Sequence, residues 1–525
     1  MVNQRGPAGV PVANTTHGKV SGEYIGGASV FRGIPYGASC AGAGRFMPPR
    51  PAPDWEGVRA CIHNPPLCWQ PGASVGNIPG TPGDYNCGGR RRIFHFTMPE
   101  YMDEDCLTVN INTPAVDGNR RPVLVYIHGG GFSDGSGMIV IGADRFTLEN
   151  DLVVVGVNHR LNAFGYLYLG ALDPAYASSG TAGMLDLVLA LTWVRDNIAA
   201  FGGDPGNVTI MGESGGGMKI STLLAMPQAQ GLFQKAIVES GSGPAGTVST
   251  QTAAEQTLAL LGAMGIEQEN WRDILNCAPY SIIKALKANP IRLQPVGDDI
   301  NLPFNPTGGF RSPPTARDVA IVIGSSEDEW ANMYSRWPDH ETFSMTRQTL
   351  RDYLLTWPME RMANGAKTVC TPENVDAVIQ ALYDTGTPGL DPVDQYFRAF
   401  VMMRMGGDAF HEAMAYACDM LRTKPVYHYL NTYDATYPRM PQRKGAWHTA
   451  DLPLQFRLVY YPYMEEMSKR FAGALAAFVR TGNPAFDGLP WPEYRPDTRL
   501  TFIFDERCHV EADPRRKLRE ALESK

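Results

Sequence analysis

Gly212, Glu213, Ser214, Gly215 and Gly216 spell G-x-S-x-G, a pattern that offers a serine hydroxyl for attack on a carbonyl when it joins a buried strand to a helix. The neighbours fit that setting. Residues 208–211 are apolar or β-branched and suit a buried strand, while 217–226 read as a helical stretch stopped by Pro227. The turn forces its serine into a strained backbone conformation. A Cβ at position 212 or 216 is expected to collide with the neighbouring strand and helix, which accounts for both glycines.

A serine hydroxyl at its ordinary pKa attacks poorly, so Ser214 needs a base, an acid to orient that base and a site for the developing oxyanion. The oxyanion site comes first along the chain. Residues 123–127 form a buried-strand pattern that runs into His128, Gly129, Gly130, Gly131 and Phe132. A loop of this type aims backbone N–H groups at negative charge, because glycine allows close approach of the backbone. The Gly215 N–H, at the start of the helix after the serine, is a further donor supported by the helix dipole. A triple glycine alone would read as a flexible turn; the serine turn downstream changes that reading.

The base is one of ten histidines. With strand-borne residues in the order serine, acid, histidine, those at 17, 63, 95, 128 and 159 come too early. His411 sits in a helical pattern, His428 in the middle of a strand pattern at 426–430, and His509 beyond what reads as the last strand, 500–504. His340 follows the acid too closely. His448 remains, in the loop after the 426–430 strand. The acid should end the preceding strand, 319–324, which opens into Glu327, Asp328 and Glu329. Spacing does not choose among these three carboxylates.

Several separate stretches resemble the type-B carboxylesterases, the cholinesterase-like branch of the α/β-hydrolases. They include Phe31 to Tyr36 (F-R-G-I-P-Y), Asp103 to Leu107 (D-E-D-C-L), Asn158 to Gly165, and a long run from Gly183 through Asp204 and Pro205 to the serine turn. The resemblance covers most of the chain and implies Glu329 as the acid, His448 as the base, and Gly130, Gly131 and Gly215 as oxyanion donors. It also implies buried ion pairs between Arg160 and Asp186 and between Arg45 and Glu104, and a disulfide between Cys68 and Cys106. Glu213 is open between a supporting role near His448 and a structural one.

Three positions depart from the family pattern. Gly215 stands where alanine is usual, and Trp330 where a glycine follows the acid. Cys277 falls on half of a second family disulfide, but 241–246 holds no cysteine to complete it.

The expected fold is α/β: an α/β-hydrolase with a large, mostly parallel central sheet flanked by helices, helical cap insertions from 250–300 and 340–420, and a small N-terminal antiparallel sheet. No linker, repeat or low-complexity segment divides the chain, so residues 1–525 are expected to form a single domain. Net charge is −8, from 46 basic and 54 acidic residues, and no basic tract is long enough for nucleic acid. The one basic run, Arg90 to Arg92, reads as a solvated loop; its neutralisation would lower turnover of anionic esters only if it lies at the site mouth. No apolar stretch approaches the roughly 18 residues of a membrane span, and no signal-peptide core is evident. The nine cysteines point two ways, a family disulfide against an odd count. The expected location is cytoplasmic, or secreted or periplasmic if Met1 replaces a removed signal. No metal-ligand or dinucleotide pattern occurs, and no cofactor is expected.

The resulting expectation is a carboxylic ester hydrolase acting on a small-molecule ester through a serine acyl-enzyme. An acyltransferase or cyclase would use the same intermediate with another acceptor, and a non-catalytic binding protein would lack one of the three residues. Phe132, Trp330, Trp337 and Trp447 are candidates for lining the pocket. The particular ester, amide, lactone or carbamate is not legible, nor is the oligomeric state.

Overall fold

The computed structural model describes residues 9–70, 102–241, 247–289, 291–303, 317–329, 345–356, 370–385, 396, 398–399, 402, 423–435, 445–459 and 461–524. Their main feature is an eleven-stranded sheet. From one edge to the other it runs His509–Ala512, Leu500–Phe504, Val426–Asn431, Ala320–Ser326, Lys235–Glu239, Gly203–Glu213, Arg121–Ile127, Val153–Val157, Thr108–Thr113, Ala28–Pro35 and Glu23–Ile25. Every pairing from Leu500–Phe504 across to Val153–Val157 is parallel, and both flanks are antiparallel. The central strands are buried on both faces, which is why they read as continuous apolar runs.

Side-chain alternation divides the interior into two cores. Val123, Val125 and Ile127 point to one and Leu124 and Tyr126 to the other; Ile321 and Ile323 oppose Ala320 and Val322 in the same way. The helix Ala182–Asn197 packs Met184, Leu187, Leu191 and Val194 into the first core. The helix Glu465–Thr481 packs Met467, Phe471, Leu475 and Phe478 into the second. That second helix begins with Glu465 and Glu466 and ends at Gly482 in the left-handed conformation, φ 80°, as the helix dipole and C-terminal capping favour.

The small N-terminal sheet differs from expectation. Val12–Thr15 and Gly18–Ser21 are antiparallel, but Val58–Ala60 joins Gly18–Ser21 in parallel, so this sheet is mixed. The third strand returns only after the chain has crossed to the large sheet, and a long connection does not impose hairpin geometry. The last strand is also not 500–504: after a short turn, His509–Ala512 pairs antiparallel with it and closes the sheet edge. Helices occupy Thr250–Ala263, Pro279–Ala288, Arg347–Thr356 and Val375–Asp384, while much of the remaining 340–420 region lies outside the described residues.

One helical run among the described residues, 174–201, is long and apolar enough by length and composition to cross a membrane; most of its large apolar side chains are packed into or against the first core.

Both expected ion pairs are buried. Arg160 contacts Asp186 at 2.7 Å and 2.9 Å, and Asp186 also accepts from the Arg160 backbone N–H at 2.9 Å. Arg45 meets Glu104 at 2.7 Å and 2.6 Å. Stripping one partner from such a pair leaves an uncompensated buried charge, at a cost of about 3–5 kcal/mol. Cys68 and Cys106 are joined by a disulfide, with Cα atoms 5.2 Å apart, a bond that persists in oxidising compartments. Cys277 is a free thiol.

Candidate active site

The strand Gly203–Glu213 delivers Ser214 to the sheet's carboxyl edge, and the helix Gly215–Leu223 leads away from it. Ser214 has φ 58° and ψ −123°, a conformation worth about 1–3 kcal/mol of strain for a residue with a side chain. Its N–H is anchored to the Glu239 carbonyl at 2.8 Å. The flanking glycines are explained by space. A Cβ on Gly212 would strike the backbone of Gly216, and one on Gly216 would strike the carbonyl oxygen of Ile127 on the neighbouring strand.

The glycine loop expected to hold the oxyanion leaves the strand Arg121–Ile127, with Gly130 at φ 88° and Gly131 at φ 62°. Gly215 lies directly against it: a Cβ on residue 215 would overlap the N, Cα and O of Gly131. The three glycines named as donors therefore come together. Among the described residues their N–H groups donate to no protein acceptor. The first N–H of a helix has no intrahelical partner in any case.

Glu329 and His448 come from two loops sewn to each other. Asp328 bridges to Trp447 as in a parallel sheet; Asp328 N–H donates to the Ala446 carbonyl at 3.0 Å and His448 N–H to the Glu329 carbonyl at 3.3 Å. Ala446 N–H also donates to the Asp328 carboxylate at 3.1 Å. Across this seam His448 Nδ1 lies 2.5 Å from Glu329 Oε2. The other Glu329 oxygen accepts the Ser326 N–H at 3.0 Å. Of the three carboxylates that spacing left open, Glu329 is the one that meets His448. Glu327 and Asp328 pair instead with Arg398, at 2.6 Å and 3.1 Å, and Glu327 also with Arg515.

The opposite nitrogen, His448 Nε2, lies 3.1 Å from Glu213 Oε1. Glu213 is thus placed beside the imidazole, the position that a supporting role near His448 requires. None of the described hydrogen bonds joins Ser214 Oγ to His448, a link that in free enzymes is often long and tightens when substrate binds.

More carboxyls crowd the same place. Glu213 and Glu239 are register partners at the ends of adjacent parallel strands. Burial and the neighbouring Asp451 push the Glu239 carboxyl well above its usual range, and Gln455 Nε2 donates to it at 2.7 Å. Burial, with the Glu329 charge adding to it, pushes Asp451 up to about 7; Tyr429 donates its hydroxyl to Asp451 at 3.3 Å. A protonated carboxyl is the cheaper form where several acids share a buried site.

Phe132 and Trp447, considered as pocket lining, are core residues instead. Phe132 packs edge-on to Tyr166 at 5.2 Å, and Trp447 donates its indole N–H to the Ala435 carbonyl at 3.2 Å. Trp330, Trp337, His95, His340, His411 and Arg90 to Arg92 lie outside the described residues. Sequence reasoning missed Glu239 and Lys219. The first had a signal, a charge closing an otherwise apolar strand, as Glu213 does on the strand beside it.

A serine on a strand-to-helix turn, at the carboxyl edge of a mostly parallel sheet covered on both faces, defines an α/β-hydrolase. The chain belongs to the carboxylesterase family, whose profile matches residues 9–518. It is similar to the para-nitrobenzyl esterase of Bacillus subtilis (strain 168), at 31% identity over 97% of this chain and 98% of that one. Similarity to the phenmedipham hydrolase of Pseudarthrobacter oxydans is 32% over 96% and 97%. A solved carboxylesterase of Geobacillus stearothermophilus superposes with a TM-score of 0.78 at 30% identity, covering 98% of this chain and 100% of that one. The protein is an enzyme that hydrolyses carboxylic esters.

Proposed function

We propose that hydrolysis proceeds through an acyl-enzyme on Ser214, with His448 as general base and Glu329 as its orienting acid. The supporting observation is the buried 2.5 Å contact between His448 Nδ1 and Glu329 Oε2, set beside the strained turn that carries Ser214. Ser214 Oγ adds to the ester carbonyl carbon while its proton passes to His448 Nε2. The carbonyl π pair moves onto oxygen, where the N–H groups of Gly130, Gly131 and Gly215 stabilise it. Collapse breaks the bond to the alkoxy oxygen, which leaves with the His448 proton. Water, deprotonated by the same imidazole, then releases the acid and restores the serine. Glu213 adds negative charge near the imidazolium formed in both halves of the cycle.

A p-nitrophenyl ester series from acetate to octanoate, run on wild type and Ser214→Ala, tests this reading. Turnover that disappears in the variant is expected, with an optimum chain length that sizes the acyl pocket. Turnover retained by folded Ser214→Ala would refute the serine mechanism. Adding a simple alcohol separates acceptors: free acid as the main product indicates hydrolysis, and a new ester indicates acyl transfer.

A further inference from the structure

Lys219 lies on the helix that begins at the nucleophile turn, and its side chain is fully buried. Taking an ammonium out of water is costly, and burial brings its pKa down to about 7 despite the nearby charge of Asp134. Its Nζ donates to the carbonyl oxygen of His128 at 2.9 Å and stands 5.9 Å from the centre of the Phe132 ring. His128 and Phe132 are the two ends of the glycine loop, so Lys219 reaches both ends of that loop from the helix that follows Ser214.

Three successive carbonyls of the loop are held in place. Lys219 takes His128 O. The His128 ring, through Nδ1, takes Gly129 O at 2.9 Å, and the N–H groups of Ser133 and Asp134 take Gly130 O at 3.2 Å and 3.1 Å. In a trans peptide the carbonyl and the next N–H point in opposite directions. Holding Gly129 O and Gly130 O back therefore turns the N–H groups of Gly130 and Gly131 the other way. Lys219 secures the first peptide in this series. The His128 ring that secures the second is itself stacked on His159, centroids 4.7 Å apart and 11° between planes. Burial holds both imidazoles well below their usual pKa and therefore neutral. Among the three anchors, only Lys219 belongs to the nucleophile's own helix.

We propose that Lys219 is a positioning residue for the oxyanion site: by holding the His128 carbonyl it locks the Gly129–Gly131 backbone to the helix that starts beside Ser214. The proposal rests on the reading of Gly130 and Gly131 as oxyanion donors. It assigns Lys219 to transition-state stabilisation without contact to substrate.

Lys219→Met keeps length and apolar volume while removing the donor, and Lys219→Gln restores an N–H. Each is compared with wild type for kcat, KM, thermal midpoint, fluorophosphonate labelling of Ser214 and affinity for a trifluoromethyl ketone. That inhibitor adds Ser214 Oγ to its carbonyl, so its bound form carries an oxyanion. The expected result for the Met variant is a loss in kcat of about tenfold or more, well short of losing a donor outright, with KM nearly unchanged. Ketone affinity should fall in parallel, with full labelling of Ser214 and partial recovery in the Gln variant. A Met variant with wild-type kcat, or one that loses kcat while ketone affinity is unchanged, would overturn the proposal. If the Met variant does not fold, a Gln variant whose kcat and ketone affinity fall in parallel below wild type supports it, and one that matches wild type in both, or loses kcat with ketone affinity unchanged, overturns it. Wild type that neither labels at Ser214 nor binds the ketone would instead defeat the underlying serine mechanism.

Discussion

His448 Nδ1 and Glu329 Oε2 stand 2.5 Å apart with both side chains buried, although 119 residues separate them in the chain. The contact is fixed from behind rather than by the pair alone. The loops that carry them share a parallel bridge at Asp328 and Trp447, and Asp328 is itself gripped by Arg398.

Glu329→Gln tests what that contact does. An amide cannot balance the positive imidazolium, and it can present its NH₂ to Nδ1 and so favour the wrong tautomer. We expect kcat to fall on the order of 10⁴-fold, with little change in KM and a folded protein by thermal midpoint. A loss under tenfold would remove Glu329 from the mechanism.

Gly215→Ala is expected to impair this enzyme, although alanine is usual there in the family pattern. The added Cβ overlaps the backbone of Gly131, so either the oxyanion loop or the helix start must move. Displacing one donor fully costs about 10²–10³ in rate, and a partial shift should cost roughly tenfold in kcat. Steady-state kinetics on the purified variant decide this, and unchanged kcat would show that the loop yields freely.

Asp451 predicts a pH signature in stability. Its carboxyl titrates near 7 in the folded protein, because it is buried beside Glu329 and Glu239, against 3.8 for an ordinary side chain. The folded state thus keeps a proton that the unfolded chain has lost, and stability declines as pH rises through that window, remaining lower above it. Asp451→Asn removes the penalty and can retain the Tyr429 contact. The variant's thermal midpoint should gain on wild type by on the order of a few degrees between pH 5 and pH 8. Parallel midpoint curves would show that Asp451 is not the titrating group.

Much of the fold and the site is legible in the amino-acid sequence, and for physical reasons. The elbow, the glycine loop and the two-faced apolar strands are local patterns that backbone sterics and burial impose on sequence. Choosing Glu329 over Glu327 and Asp328 is different, because only the seam between two distant loops aims one of the three at His448. The same limit hides the closeness of Glu213 to His448 and the burial of Lys219, both products of long-range packing. The mixed character of the N-terminal sheet is equally hidden, since nothing local to Val58–Ala60 says which strand it joins. Chain order locates His448 but misjudges where the sheet ends, because the 509–512 strand is short and largely exposed.

The central claim is that Ser214 carries the acyl group. The most direct measurement is intact-protein and peptide mass spectrometry after brief exposure to a fluorophosphonate, on wild type and Ser214→Ala. The account predicts one equivalent of label on the peptide containing Ser214, loss of ester hydrolysis in proportion to labelling, and no label on the variant. Label on another residue, or full activity in a protein labelled at Ser214, would contradict it.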